Sequence, residues 1–229
     1  MSHESDHPLS HSLSTRTRSL FKTGALALAA AALVSACAPL IIGGAAVGGA
    51  LVASDRRTSG TQLEDQGIES KASTRIKQTL GDRGHVNVTS FNRVALLTGE
   101  VPSEADRAAV DAALVGVENL MHVINELVVA PNSTFSQRSN DALITSKVKA
   151  SFVDASDIFA NAYKVVTERG VVYLMGRVTE REAKRGVEIA RGVSGVQKVV
   201  RVFELISEDD LAKYAAKPVP PAAPAASAP

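Results

Sequence analysis

The chain has 229 residues, 25 Lys+Arg against 24 Asp+Glu, 45% hydrophobic residues, no Trp and a single Cys. A net charge of +1 excludes a protein built to coat nucleic acid, which needs a dominant basic surface. One cysteine excludes an internal disulfide framework and a Cys-rich metal site, and the length allows one or two modest domains. Removing residues 1–36 leaves 22 bases against 22 acids, so the neutrality belongs to the body of the chain as well.

Residues 1–22 are polar and end on Arg16, Arg18 and Lys22; an apolar run of about a dozen residues, Thr23 to Val34, follows. A basic flank, a short apolar stretch and small residues at its end make a secretory signal, too short for a permanent membrane span. The next residues, Leu33-Val34-Ser35-Ala36-Cys37, resemble the lipobox of bacterial lipoproteins, with Val34 where Leu is more usual. That resemblance implies cleavage after residue 36 and acylation of Cys37, with palmitate among the chains, and each buried methylene adds roughly 0.8 kcal/mol of anchoring. By the same resemblance, Ala38 rather than Asp after the cysteine implies sorting to the outer membrane. Acylation also removes the thiol from any redox or nucleophilic role. Residues 38–53 are apolar and Gly-rich, and read either as a segment at the lipid surface or as a flexible tether.

The body contains an internal repeat. Val94-Ala-Leu-Leu-Thr-Gly99-Glu-Val101 returns 77 residues later as Val171-Val-Tyr-Leu-Met-Gly176-Arg-Val178, and Gly116-Val117 returns as Gly195-Val196. Upstream, Ala72, Ile76 and Leu80 match Ile144, Val148 and Phe152, all at the i, i+4, i+8 spacing of an amphipathic helix. The predicted order in each copy is a helix (68–81, 141–154), a strand (85–91, 162–168) and a turn at Asn92-Arg93 or Arg169-Gly170. A more continuous apolar strand then ends at Gly99 or Gly176, read as the turn toward the next helix. Asn140 or Asp141 is the expected cap of the second copy's first helix. The second helices start at Pro102-Ser-Glu-Ala and at Thr179-Glu-Arg-Glu, the latter spaced as a capping box with Glu182. They end near Gly116 and Gly192, and last strands follow over 119–129 and 197–206.

The expected fold is therefore α+β: two tandem α-β-β-α-β units, each a three-stranded mixed sheet with two helices on one face. The boundaries are 61–130 and 139–206, with a tether over 37–60, a linker over 131–138 and a disordered Pro/Ala-rich tail over 207–229. At roughly 65 residues each unit is near the lower limit for independent stability, so packing between copies is expected. Charge separates them: six bases against ten acids over 61–129, a net of −4, and eleven against eight over 139–206, a net of +3.

The order of these elements, together with Ser59-Gly-Thr-Gln62, Ser139-Asn-Asp141, Thr145 to Val148, Tyr173-Leu-Met-Gly-Arg-Val-Thr-Glu-Arg-Glu-Ala-Lys184 and Val193-Ser-Gly-Val196, resembles the BON-domain family. The resemblance covers about 60–206, and with Cys37 it is nearest to the dual-BON outer-membrane lipoproteins and more distant from a soluble periplasmic dual-BON protein. It implies a non-enzymatic protein of the outer membrane's periplasmic face, supporting membrane integrity and envelope β-barrel assembly, with enrichment at division sites. It also implies that the first helix of the second copy and its adjoining loops bind anionic phospholipid of the phosphatidylglycerol type.

The residues themselves offer no chemistry against this. His85 and His122 have no partner at metal-ligand spacing, no Ser lies in a nucleophile elbow, and no phosphate-cradling loop opens a helix. No cofactor is expected. In the second copy's first helix, with Ile144, Val148 and Phe152 as the core stripe, Leu143 projects to one side of the stripe and aligns with Lys71. Lys147 and Lys149 share the helix, with Phe135 shortly before it and Ile158-Phe159 shortly after. Apolar groups beside lysines on an exposed helix suit a membrane surface, where cations meet anionic headgroups. Leu143 stands where the resembled lipoproteins carry Trp, which keeps an apolar insertion group and loses Trp's preference for the interface. The bland reading makes Leu143 and Phe159 part of the core or of the contact between copies. Arg177, Arg181, Lys184, Arg185 and Arg191 read as a solvated helix face. The alternative function is a protein-interaction or chaperone-like module in which the oppositely charged copies dock a partner.

Overall fold

In a computed structural model, residues 55–215 are described, and they form two α-β-β-α-β units followed by a short helix. The first unit contains α1 (Ser59–Leu80), β1 (His85–Phe91), β2 (Val94–Val101), α2 (Glu104–Ala113), β3 (His122–Asn125) and β4 (Val128–Val129). The second contains α3 (Phe135–Asp154), a 3-10 turn (Ala160–Ala162), β5 (Tyr163–Glu168), β6 (Val171–Val178), α4 (Glu180–Arg191) and β7 (Lys198–Leu205); α5 (Glu208–Ala215) comes after it. The signal segment, Cys37 and the Gly-rich stretch lie outside the described residues. Among the described residues, no helix is long and apolar enough to cross a membrane.

Both units build the same sheet. A hairpin pairs β1 with β2 and β5 with β6 antiparallel, and the last strand returns parallel to the central one. The parallel partner of β2 is broken. Asn125 turns its side-chain oxygen to the Leu127 N–H at 3.0 Å, Leu127 drops into the core, and pairing resumes at β4. In the second unit β7 runs unbroken along β6 for eight residues.

The first helices are longer than their apolar stripes predict, because threonines outside the stripes start them. Thr58 accepts from the Thr61 N–H at 3.1 Å, and Thr134 forms a capping box with Gln137. The link between units therefore shortens to 130–134, and Phe135 lies inside the first turn of α3 rather than before it. Asp141 is not a cap. It sits two turns into α3, buried, and its carboxylate accepts the Arg169 and Gly170 N–H groups, both at 2.8 Å. Asp65 does the same in α1, accepting the Arg93 N–H at 2.7 Å and the Asn92 N–H at 2.8 Å. Each first helix thus holds its own hairpin turn. Equating Thr58 with Thr134 and Asp65 with Asp141 shifts the repeat by one helical turn: Ile68 matches Ile144, Ala72 matches Val148, and Leu143 matches Gly67, not Lys71.

Gly99 and Gly176 do not end their strands. They lie two residues inside β2 and β6 at φ of 115° and 155°, where a Cβ would stand 2.0 Å from the His85 carbonyl oxygen and 2.3 Å from that of Ala162. Close approach of the neighbouring strand, not a turn, requires glycine here.

Alternation along the central strands explains their continuous apolar character. Ala95, Leu97 and Val101 face the helices of the first unit, and Val172, Leu174 and Val178 face those of the second. The opposite faces meet each other: Phe91 and Leu96 pack with Tyr173 and Met175, flanked by Ile124, Val166, Val171, Val200 and Val202. Burial there pushes the Tyr173 hydroxyl up to about 12. The two units share this third core, and part of their opposite charge is spent around it. Lys164 reaches Glu69 at 2.7 Å, Arg169 reaches Glu100 at 3.3 Å, and Asn87 donates to Glu168 at 2.8 Å. The net −4 and +3 are therefore partly complementary to each other rather than wholly offered to an outside partner.

The tail is not irregular from its start. Ser207 accepts the Asp210 N–H at 3.0 Å and opens α5, which carries Glu208, Asp209 and Asp210 at the positive end of its dipole.

Candidate membrane-facing surface

The second unit's first helix carries the candidate site. Along α3, Asp141, Ile144, Val148 and Phe152 form the buried side, at the three- and four-residue spacing of one helix face. Opposite them, Phe135, Ala142, Ser146 and Val153 fall on one line at 100° per residue, with Leu143 and Lys147 on one flank and Lys149 on the other. This outer side is apolar to an unusual degree for a solvated helix: Phe135 is 80% exposed, Val153 73% and Leu143 53%. From Phe135 to Val153 the only acid is the buried Asp141.

The lysines of α3 differ from most of the bases on and near α4. Lys147 and Lys149 are exposed and have no carboxylate partner among the described residues. On and near α4 the bases are engaged. Arg177 pairs with Glu204 at 2.9 Å and Arg181 with Glu208 at 3.7 Å; Lys184 pairs with Glu180 at 3.5 Å and Arg185 with Asp157 at 2.7 Å. Arg191 closes α4 at the negative end of its dipole. Pairing, not only solvation, occupies this group.

After α3 the chain turns through Ala155 to Phe159, and the two apolar residues there part ways. Ile158 is 7% exposed and belongs to the core with Phe152 and Val187, so it is not a surface residue. Phe159 is 62% exposed. Of the six residues expected on the surface, Phe135, Leu143, Lys147, Lys149 and Phe159 are exposed and Ile158 is not. Val153 was missed from sequence, although its 18-residue distance from Phe135 is five whole helical turns.

A second feature lies beside Phe159. Arg56, just before the first unit, is 7% exposed and makes a bidentate pair with Glu182 of α4, both bonds 2.7 Å, and a third bond to the Arg177 carbonyl at 2.6 Å. Its guanidinium carbon stands 6.0 Å from the Phe159 ring centre. Burial pushes the Glu182 carboxyl up, but Arg56 and the Thr179 N–H outweigh it and hold the group below its usual value. Arg57 turns the other way, to Asp65 at 2.7 Å and over the Phe91 ring at 4.2 Å. Nothing in the local spacing around residue 56 announces a partner at residue 182.

No group of His, Cys, Asp and Glu that could hold a metal occurs among the described residues. What the geometry offers is a convex apolar helix face between lysines, carried on a two-sheet scaffold with a fold repeated in tandem.

That tandem fold is the BON domain: the family's model matches residues 64–131 and 140–206, more than half of the chain, and the chain belongs to the BON-domain family. Among curated relatives, it is 37% identical over 192 residues to the outer membrane lipoprotein DolP of Haemophilus influenzae, covering 83% of this chain and 99% of that protein. The likeness therefore extends beyond the two BON segments. It is 29% identical over 154 residues to a 21 kDa hemolysin of Actinobacillus pleuropneumoniae (66% of this chain, 79% of that one). It is 30% identical over 160 residues to the osmotically-inducible protein Y of Escherichia coli (66% and 77%).

Proposed function

We propose that the protein is a non-enzymatic, lipid-anchored BON protein of the outer membrane, facing the periplasm, whose second BON unit contacts anionic phospholipid of the phosphatidylglycerol type through the outer face of α3. The lipobox resemblance at Cys37 and the DolP relative support the anchor and the membrane. The observation that carries the lipid contact is the exposed Phe135, Leu143 and Val153 between two unpaired lysines, with no exposed acid on that helix before Asp154. Apolar side chains enter the acyl boundary while Lys147 and Lys149 meet headgroup charge, about 1 kcal/mol for each cation. Anchoring at Cys37 raises the local lipid concentration, so a weak contact suffices. The resembled lipoproteins supply the wider reading: support of outer-membrane integrity and β-barrel assembly, with enrichment at division sites.

The test is vesicle co-sedimentation of the unacylated mature chain. Binding should favour phosphatidylglycerol-containing over zwitterionic vesicles and should fall with salt. The Leu143→Ala, Lys147→Glu pair should lose most of it with the fold intact. Equal binding to both vesicle types, or an unaffected double variant, overturns the lipid reading and favours a protein-interaction module of the protein Y kind.

A further inference from the structure

Two consecutive arginines leave the membrane tether in opposite directions, one into each BON unit. Arg57 is held by the first unit's Asp65 and Phe91, as expected for a residue one position before its helix cap. Arg56 instead crosses to the second unit and is spent wholly there, on Glu182 and the Arg177 carbonyl. Glu182 is fully buried, so this ion pair is out of water at both ends. A buried bidentate guanidinium–carboxylate pair fixes orientation as well as distance, because both hydrogen bonds must stay in line.

The sequence places Cys37 eighteen positions before Asp55, so a fully extended chain bounds the anchor to within about 60 Å of this point. Without the Arg56 pair, the anchor would pull only on the start of α1, and the second unit would reach the bilayer through the first. With it, the chain coming from the membrane is fastened to the second unit next to Phe159, at the end of the candidate lipid-facing surface.

We infer that Arg56 is a positioning residue: its pair with Glu182 fastens the lipid tether to the second BON unit and so presents Phe159 and the outer face of α3 to the bilayer that holds Cys37. The inference rests on the lipid-contact reading given above.

The test uses the acylated full-length mature protein in vesicles of phosphatidylethanolamine and phosphatidylglycerol, with hydrogen–deuterium exchange followed along α3 and residues 155–159. Arg56→Ala alone strands a buried carboxylate, so the working variant is Arg56→Ala with Glu182→Gln. Glutamine still serves the Thr179 capping box and leaves no unpaired charge. Wild type should exchange more slowly over 135–159 on vesicles than in detergent, and the double variant should lose about tenfold of that membrane-dependent protection. A Cys37→Ser chain, unanchored and added to the same vesicles, should bind equally with and without the two substitutions, since Phe135, Leu143, Lys147, Lys149, Val153 and Phe159 are all kept. Protection that survives in the anchored double variant overturns the inference alone. Equal loss by the unanchored chain also overturns it, because the substitutions then damage the surface itself. No membrane-dependent protection in wild type overturns the lipid reading and the inference together.

Discussion

Replacing Asp65 by alanine tests the account of how each BON unit is locked. The carboxylate is 2% exposed and accepts four donors: the Ser90 hydroxyl and Arg93 N–H at 2.7 Å on one oxygen, and Arg57 at 2.7 Å and the Asn92 N–H at 2.8 Å on the other. Arg57 keeps Asp55 as a partner after the change. The other three lose theirs, and Ser90 has no access to water. At roughly 1–3 kcal/mol for each buried donor left unsatisfied, the loss is about 4 kcal/mol, a large share of a domain's whole stability. The hairpin turn adds to it, because Asn92 and Arg93 sit at φ of 51° and 66°, a conformation these two N–H bonds maintain. Asp65→Asn keeps an acceptor and the volume, and should cost about 1–2 kcal/mol. Urea unfolding followed by circular dichroism, with hydrogen exchange at residues 90–93, measures both. Burial pushes this carboxyl up, but the Arg93, Ser90, Arg57 and Asn92 bonds outweigh it and hold it below the usual value of 3.8. Its contribution is therefore fully present above that value and lost as pH falls through the lower folded one. An Asp65→Ala cost under about 1 kcal/mol, or a cost that does not fade in acid, refutes the reasoning.

Three other substitutions have defined outcomes. Gly99→Ala should destabilise by about 2–4 kcal/mol, since its Cβ meets the His85 carbonyl at a φ of 115°; Gly67→Ala, inside α1 with nothing within 4 Å, should stabilise by up to about 1 kcal/mol, both read as shifts in the urea midpoint. Burial, then the nearby Glu100 and Asp141, raise the Glu168 carboxyl above its ordinary 4.5, against the opposing Asn87 bond and His85. Folded Glu168 binds its proton more tightly than the unfolded chain does, so stability falls as pH rises from 4.5 through the folded value. Glu168→Gln, which still accepts from Asn87, should stabilise the chain at neutral pH and not in acid; a gain that is equal at both ends of the titration contradicts this.

Much of the fold was legible because its marks are local. The hairpin turns and the Thr179–Glu182 box depend on neighbours within a few residues, and the return of Val94–Val101 at Val171–Val178 shows by direct comparison of the two segments. The near-continuous apolar runs of β2 and β6 read only as strands; that their second faces pack on each other rests on contacts between the copies, which no local pattern carries. The repeat's helices were misregistered because Ala72, Ile76 and Leu80 repeat every four residues, so any whole turn fits. The deciding pairs, Thr58 with Thr134 and Asp65 with Asp141, are polar and carry no period. Ile158 and Phe159 lie outside any helix or strand, so no alternation could tell which one turns inward. Ser207 and Asp210 have the spacing of a helix start, hidden by the Pro/Ala composition that follows. Arg56 with Glu182 was illegible for a different reason: the two are 126 residues apart. A capping box explained Glu182 locally and left no residual signal for its second partner.

The lipid contact itself is tested most directly by nuclear magnetic resonance of the unacylated mature chain with phosphatidylglycerol nanodiscs carrying a paramagnetic lipid. Amides along the outer side of α3 at 135, 142, 143, 146, 147, 149 and 153, and at Phe159, should broaden, with the β1–β2 hairpin and α2 unaffected. Broadening centred on the first unit, or none above that seen with zwitterionic discs, would contradict the lipid contact.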